Sequence, residues 1–101
     1  MFKFIAKIRS KRYKNIDVDD INNIQGAAIL DVRSPLEFEE NHLKDSINIP
    51  LYELDKEVEK IIKNKNQPII VYCSSGSRSK KAAVKLQKKG YTNIYNLEKG
   101  L

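Results

Sequence analysis

Apolar residues along this chain fall into short runs separated by stripes at helical spacing. Ile69, Ile70, Val71, Tyr72 and Cys73 form an uninterrupted apolar run after Pro68, as expected of a strand covered on both faces. Residues 27–33 read as a second buried strand ending in the charged Asp31 and Arg33. Shorter strands are expected at 13–16, at 46–49 before Pro50, and at 92–97. Between them, Asp17 or Asp19 can cap a short helix carrying Val18, Ile21 and Ile24, stopped by Gly26. Ser34, Pro35 and Glu37 mark a helix start that gives way to a loop around His42. Leu51, Leu54, Val58, Ile61 and Ile62 make one amphipathic stripe. Residues 77–89 form the last helix, with Ala82, Ala83 and Leu86 inward and Gly90 as its stop. Strands alternating with helices at these lengths predict an α/β sandwich with a mainly parallel sheet. In such sheets ligands collect outside the carboxyl ends of the strands, which here carry Asp31, Arg33 and Cys73.

Composition narrows the classes. A chain of 101 residues holds one core, and its longest apolar run is far short of the ~18 residues a membrane span needs. A single cysteine excludes an internal disulfide and a multi-cysteine metal cluster and suggests a reducing compartment, so cytoplasmic residence is expected. No secretory leader is apparent. The net charge of +6 changes meaning once it is located. Lys3, Lys7, Arg9, Lys11, Arg12 and Lys14 all precede the first acidic residue, Asp17, and the other 13 basic residues match the 13 acidic ones. Residues 1–12, which hold five of those six, therefore read as a basic, solvated N-terminal tail on a nearly neutral body. Phe2, Phe4, Ile5 and Ile8 interleave with its cations, which leaves membrane-surface contact as the alternative. Nucleic acid is not expected as a partner, since no aromatic platform accompanies the tail.

The segment after Cys73 carries the candidate chemistry. Ser74, Ser75, Gly76, Ser77 and Arg78 follow the thiol directly into a helix. Small residues and a glycine let a tight loop aim several backbone N–H groups at one point, and a helix N-terminus adds partial positive charge there. A thiol in that cradle ionises below its free value of roughly 8.5. A buried structural cysteine is the bland alternative. Loop length separates two chemistries: four residues lie between Cys73 and Arg78, and a loop that encircles a tetrahedral phosphate needs one more. The shorter ring suits a single sulfur atom.

In their order and spacing, Asp31-Val32-Arg33, Glu37-Phe38, His42, Asn48-Ile49-Pro50 and Cys73-x-x-Gly76-x-Arg78-Ser79 resemble the rhodanese-like sulfurtransferases, particularly stand-alone single-domain members. One departure is Asn41 before the histidine, where the family commonly has glycine. The resemblance assigns residues 13–101 to a rhodanese-like domain, a three-layer sandwich with a five-stranded, mainly parallel sheet and helices on both faces. It implies a ping-pong thiosulfate sulfurtransferase in which Cys73 is the nucleophile and carries sulfur as a persulfide. Ser74, Ser75, Gly76, Ser77 and Arg78 would form the substrate-binding loop, with Asp31, Arg33 and Glu37 in support. No cofactor or metal is implied. Donors would be thiosulfate or a persulfidated protein. The acceptor must be an external thiol, or cyanide in an assay, because no second cysteine can resolve the persulfide internally. Two other readings stay open: a non-catalytic rhodanese-like module that binds a partner, and a cysteine phosphatase or arsenate reductase. His42 reads as a turn residue rather than a partner of the thiolate. Lys80 and Lys81 could steer anions toward the loop.

Overall fold

Strands form where the apolar runs fall. The computed structural model describes residues 11–101, so most of the basic N-terminal segment lies outside the described residues. Strand β1 (Tyr13–Ile16) leads through a 3-10 helix (Val18–Asn23) to β2 (Ala28–Asp31), α1 (Pro35–Glu40) and β3 (Ser46–Asn48). A 3-10 turn (Leu51–Glu53) runs straight into α2 (Leu54–Ile61), followed by β4 (Ile69–Tyr72), α3 (Ser77–Lys88) and β5 (Ile94–Leu97). The strands hydrogen-bond in the order β1-β5-β4-β2-β3, every neighbouring pair parallel. Both edge strands are short, which limits pairing with another chain.

Right-handed crossovers decide which face each helix covers. The connections β1→β2 and β2→β3 travel across the sheet in one direction, and β3→β4 and β4→β5 travel in the other. The 3-10 helix and α1 therefore cover one face, and α2 and α3 cover the opposite one. The core agrees: Leu30, Val32, Ile69, Val71, Cys73 and Ile94 pack in one cluster with Leu54, Val58 and Ile62, and with Ala82, Ala83 and Leu86 of α3. Side chains alternate across a strand, so Ile70 and Tyr72 point to the other face, and both are fully buried there as well. The Tyr72 hydroxyl accepts from Leu43 N at 3.0 Å and meets Ser46 Oγ at 3.1 Å.

Two apolar positions depart from their expected stripes, Val18 on the 3-10 helix, which is 58% exposed, and Ile61 on α2. Ile61 is 47% exposed, while Ile62 is buried. Ile62 caps α2 in an extended conformation (φ −111°, ψ 92°), which takes it off the helical spiral and into the core in place of Ile61. At the start of β1, the Arg12 N–H donates to Gln87 Oε1 at 2.9 Å, and the Lys11 ammonium lies 5.0 Å from the Tyr13 ring centre. No described helix is long and apolar enough to cross a membrane.

Candidate active site

Strands β2 and β4 are neighbours, yet the chain leaves β2 for one face and β4 for the other. A crevice opens at the carboxyl ends of such a pair. Cys73 follows β4 directly, and α1 begins four residues after β2 ends. The loops at these two ends meet through side chains.

Cys73 takes a place that a capping side chain would otherwise fill. The N-cap of α3 is Gly76, in the left-handed region at φ 99°, and it has no side chain to accept the free N–H groups of the first turn. The Cys73 sulfur accepts them instead, from Gly76 N at 3.1 Å and Ser79 N at 3.3 Å. Ser79 Oγ lies 3.5 Å from the sulfur and also donates to the Gly76 carbonyl at 3.2 Å. As a thiol, Sγ–H donates to that hydroxyl; as a thiolate, the sulfur accepts the hydroxyl proton once it swings away from Gly76 O. Burial is the largest single influence and pushes the thiol up. The Ser79 hydroxyl and the N–H groups of Ser79, Ser75 and Gly76 together outweigh it, and the net shift is downward from 9.0. Cys73 is 1% exposed, beneath a rim in which Ser74, Ser75 and Ser77 are small and exposed.

Arg78 clamps the rim. Its Nη1 and Nη2 donate to Glu37 Oε1 and Oε2 at 2.7 and 3.0 Å, a bidentate pair. Nη2 also reaches Ser74 Oγ at 3.3 Å, and Ser74 Oγ donates to Glu37 Oε2 at 3.2 Å. Glu37 is itself fixed, because Ser34 N donates to its Oε1 at 2.9 Å while Glu37 N donates to Ser34 Oγ at 3.2 Å. This is the capping box anticipated from Ser34-Pro35-x-Glu37, and its glutamate serves both the helix and the loop. The Arg78 guanidinium, and after it the Ser34 N–H, hold the Glu37 carboxyl far below the usual carboxylate range.

Asp31 and Arg33 meet each other rather than the Cys73 loop. Arg33 Nε lies 3.1 Å from both Asp31 oxygens and Nη2 lies 2.8 Å from Oδ2, with Asp31 fully buried and Arg33 4% exposed. Nη2 continues to the Asn41 carbonyl at 2.5 Å, and the guanidinium stands 5.7 Å from the Tyr72 ring centre. Asn48 Nδ2 donates to the carbonyls of Asp31 and Arg33 at 3.0 and 2.9 Å. These contacts fix the backbone from which α1 and Glu37 spring. Asn41, where glycine is common in the resembling family, is extended (φ −168°), a conformation open to any residue. His42 stacks on Phe38 with ring centres 3.7 Å apart, and its Nδ1 lies 2.7 Å from the Phe38 carbonyl, so it belongs to the turn.

The model of the rhodanese-like domain family matches residues 13–101. The chain belongs to the rhodanese-like family. Rhodanese-like relatives include an uncharacterized protein, YqhL, of Bacillus subtilis, 43% identical over 73% of this chain and 57% of its own length. The thiosulfate sulfurtransferase PspE of Escherichia coli is 36% identical over 66% of this chain and 64% of its length. A tRNA uridine(34) hydroxylase of Pelagibacter ubique is 34% identical over 93% of this chain but only 33% of that protein. The chain thus spans about a third to two thirds of these relatives. Among solved structures, a rhodanese-related protein of Thermoplasma volcanium superposes with a TM-score of 0.72 at 34% identity, covering 87% of this chain and 86% of that one.

Two parts of this rhodanese-like site escaped the sequence reading of individual residues. Ser79 is the third residue of α3, where an N–H points back along the axis, and counting from Gly76 as the cap would have found it. The segment after β5 forms the outer wall: Leu101 N donates to the Cys73 carbonyl at 2.9 Å. A Cβ on Gly76 would stand 2.2 Å from the Glu98 carbonyl, and one on Gly100 would stand 2.2 Å from the Ser74 carbonyl. Only glycine fits at either contact, and Gly100 adds a φ of 76°.

Proposed function

We propose that this protein is a thiosulfate sulfurtransferase that carries sulfane sulfur on Cys73, working with a small thiol or protein cysteine in a reducing compartment such as the cytoplasm. The observation that carries the reading is the convergence of the Gly76 and Ser79 N–H groups and the Ser79 hydroxyl on the Cys73 sulfur. The same donors would hold the negative charge of a persulfide. In the first step the thiolate attacks the outer sulfur of thiosulfate, the S–S bond of the donor breaks, and sulfite leaves with the bonding pair. Cys73-S-S⁻ remains. In the second step an external thiol or cyanide attacks that outer sulfur, and the electron pair of the Cys73–sulfur bond returns to the cysteine as thiolate. Arg78, held at the rim by its pair with Glu37, is placed to meet the dianionic donor there. The four-residue spacing to Arg78 favours one sulfur over a phosphate, and relatives named thiosulfate sulfurtransferase support the donor. Asp31 and Arg33 act in this reading through the backbone they fix. The test is sulfur transfer from thiosulfate to cyanide: wild type turns over, Cys73→Ala does not. Equal rates in the two would overturn the proposal.

A further inference from the structure

Charge is sorted along this chain, and the sheet turns that sorting into a polarised body. Residues 1–16 and 60–97 hold no acidic residue, while 12 of the 13 acidic residues fall between Asp17 and Glu59. In the strand order β1-β5-β4-β2-β3, the acid-free stretches supply β1, β5 and β4, and the acidic stretch supplies β2 and β3. Helix α3 packs over β4, β5 and β1 and so belongs to the basic half. The 3-10 helix and α1 come from the acidic stretch.

On the α3 side, the neighbouring α2 brings two carboxylates, and two lysines answer them. Lys85 Nζ lies 3.0 Å from Asp55 Oδ2, and Lys89 Nζ lies 3.5 Å from Glu59 Oε1. Lys80, Lys81 and Lys88 are exposed and enter no ion pair among the described residues. Val84, 38% exposed, stands between Lys80 and Lys88 on one stripe of the helix, and with Lys81 and Lys85 they line one open groove. The N-terminal segment joins the body here. The Arg12 N–H donates to Gln87 Oε1, beside Lys88, and Tyr13 packs in the core with Ala82 and Ala83 of α3. Residues 1–10 lie outside the described residues, but their sequence interleaves Phe2, Phe4, Ile5 and Ile8 with Lys3, Lys7 and Arg9.

The partner of such a surface is anionic and extended, since the cations follow a helix of 12 residues, about 18 Å at the usual rise. It also offers hydrocarbon, because four large apolar side chains accompany the cations. A nucleic acid matches the charge but gives Ile5 and Ile8 nothing to enter. A bilayer with anionic headgroups supplies both. We propose that the α3 face and the N-terminal segment together dock this protein on an anionic lipid bilayer, with the acidic half turned away. Apolar insertion alone gives marginal, reversible binding, and a basic patch beside it supplies the second signal that stable association requires. In place of the solvated tail that composition alone favours, the free lysines of α3 give the segment a neighbouring surface of the same character. The docking is independent of the sulfur chemistry.

The test is flotation of the full chain with vesicles of phosphatidylcholine containing about one third phosphatidylglycerol, compared with phosphatidylcholine alone. Binding to the anionic vesicles, little to the neutral ones, and release as salt rises are expected. Lys80→Gln/Lys81→Gln/Lys88→Gln should weaken binding on the order of a hundredfold, at about fivefold for each cation. Phe2→Ser/Phe4→Ser keeps every charge and should weaken it at least about tenfold. Lys44→Gln removes an exposed cation from the acidic half, before β3, and should stay within about twofold of wild type. No binding to the anionic vesicles overturns the proposal, including the case in which the protein binds tRNA or polyglutamate instead. A loss for Lys44→Gln as large as for the triple lysine variant overturns the assignment of the face. Binding untouched by Phe2→Ser/Phe4→Ser reduces the contact to adsorption of cations and overturns docking through the N-terminal segment.

Discussion

Replacing Ser79 by alanine isolates one of the donors that hold the Cys73 thiolate. The hydroxyl is fully buried, lies 3.5 Å from the sulfur and is engaged with Gly76 O at 3.2 Å. A hydrogen bond to a charged group contributes about 1.5–3 kcal/mol. The long contact and the bond to Gly76 that the proton gives up both argue for the low end of that range. At about 1.4 kcal/mol per unit, the Cys73 midpoint should rise by about one unit. The Gly76 and Ser79 N–H groups remain, as does the Lys80 N–H on the Gly76 carbonyl, so the loop keeps its shape. The assay is the pH dependence of Cys73 alkylation by iodoacetamide. Linkage supplies a second readout. A thiol held below its ordinary 9.0 in the native state releases its proton before the unfolded chain does, so stability climbs as pH rises from the native midpoint to about 9. That gain is lost as pH falls through the native midpoint, and the Ser79→Ala variant should show a smaller gain over a narrower window. An unchanged or lower alkylation midpoint would refute the reasoning that the hydroxyl stabilises the anion.

Three further substitutions probe the frame around the sulfur. Arg78→Lys loses the bidentate fork to Glu37 and should lower kcat/KM for thiosulfate at least about tenfold; because the pair is about one third exposed, the thermal midpoint should move little. A midpoint that collapses with the activity would show the pair to be structural only. Gly76→Ala forces a side chain into the left-handed region and against the Glu98 carbonyl, so denaturant unfolding should report a loss of about 2 kcal/mol or more, accompanied by loss of sulfur transfer. Asp31→Asn leaves the buried Arg33 charge without its carboxylate and should cost about 3 kcal/mol in urea unfolding, with KM for thiosulfate near wild type in the folded fraction. A raised KM without loss of stability would instead put Asp31 at the substrate.

The sequence made some parts legible because local physics decides them. An unbroken apolar run at Ile69–Tyr72 has few homes besides a doubly covered strand, and Ser34, Pro35 and Glu37 specify a helix start by capping alone. Cys73 stood out because small residues and a glycine separate it from a helix. Ile61 was misplaced in the core stripe because the periodicity cannot reveal where the helix ends and Ile62 turns inward. Long-range pairings were harder. That Glu37 takes Arg78, 41 positions away, while Arg33 takes Asp31, depends on β2 and β4 lying side by side. The strand order and the wall at Glu98 and Gly100 are likewise consequences of assembly, with only a glycine near the chain's end to hint at a close approach.

The most direct measurement is the intact mass of the protein after exposure to thiosulfate and removal of excess donor. A gain of one sulfur atom, about 32 Da, on Cys73 is expected, reversed by cyanide and absent from Cys73→Ala. A thiol that stays unmodified and fully reduced under thiosulfate, with its mass unchanged, would contradict the account.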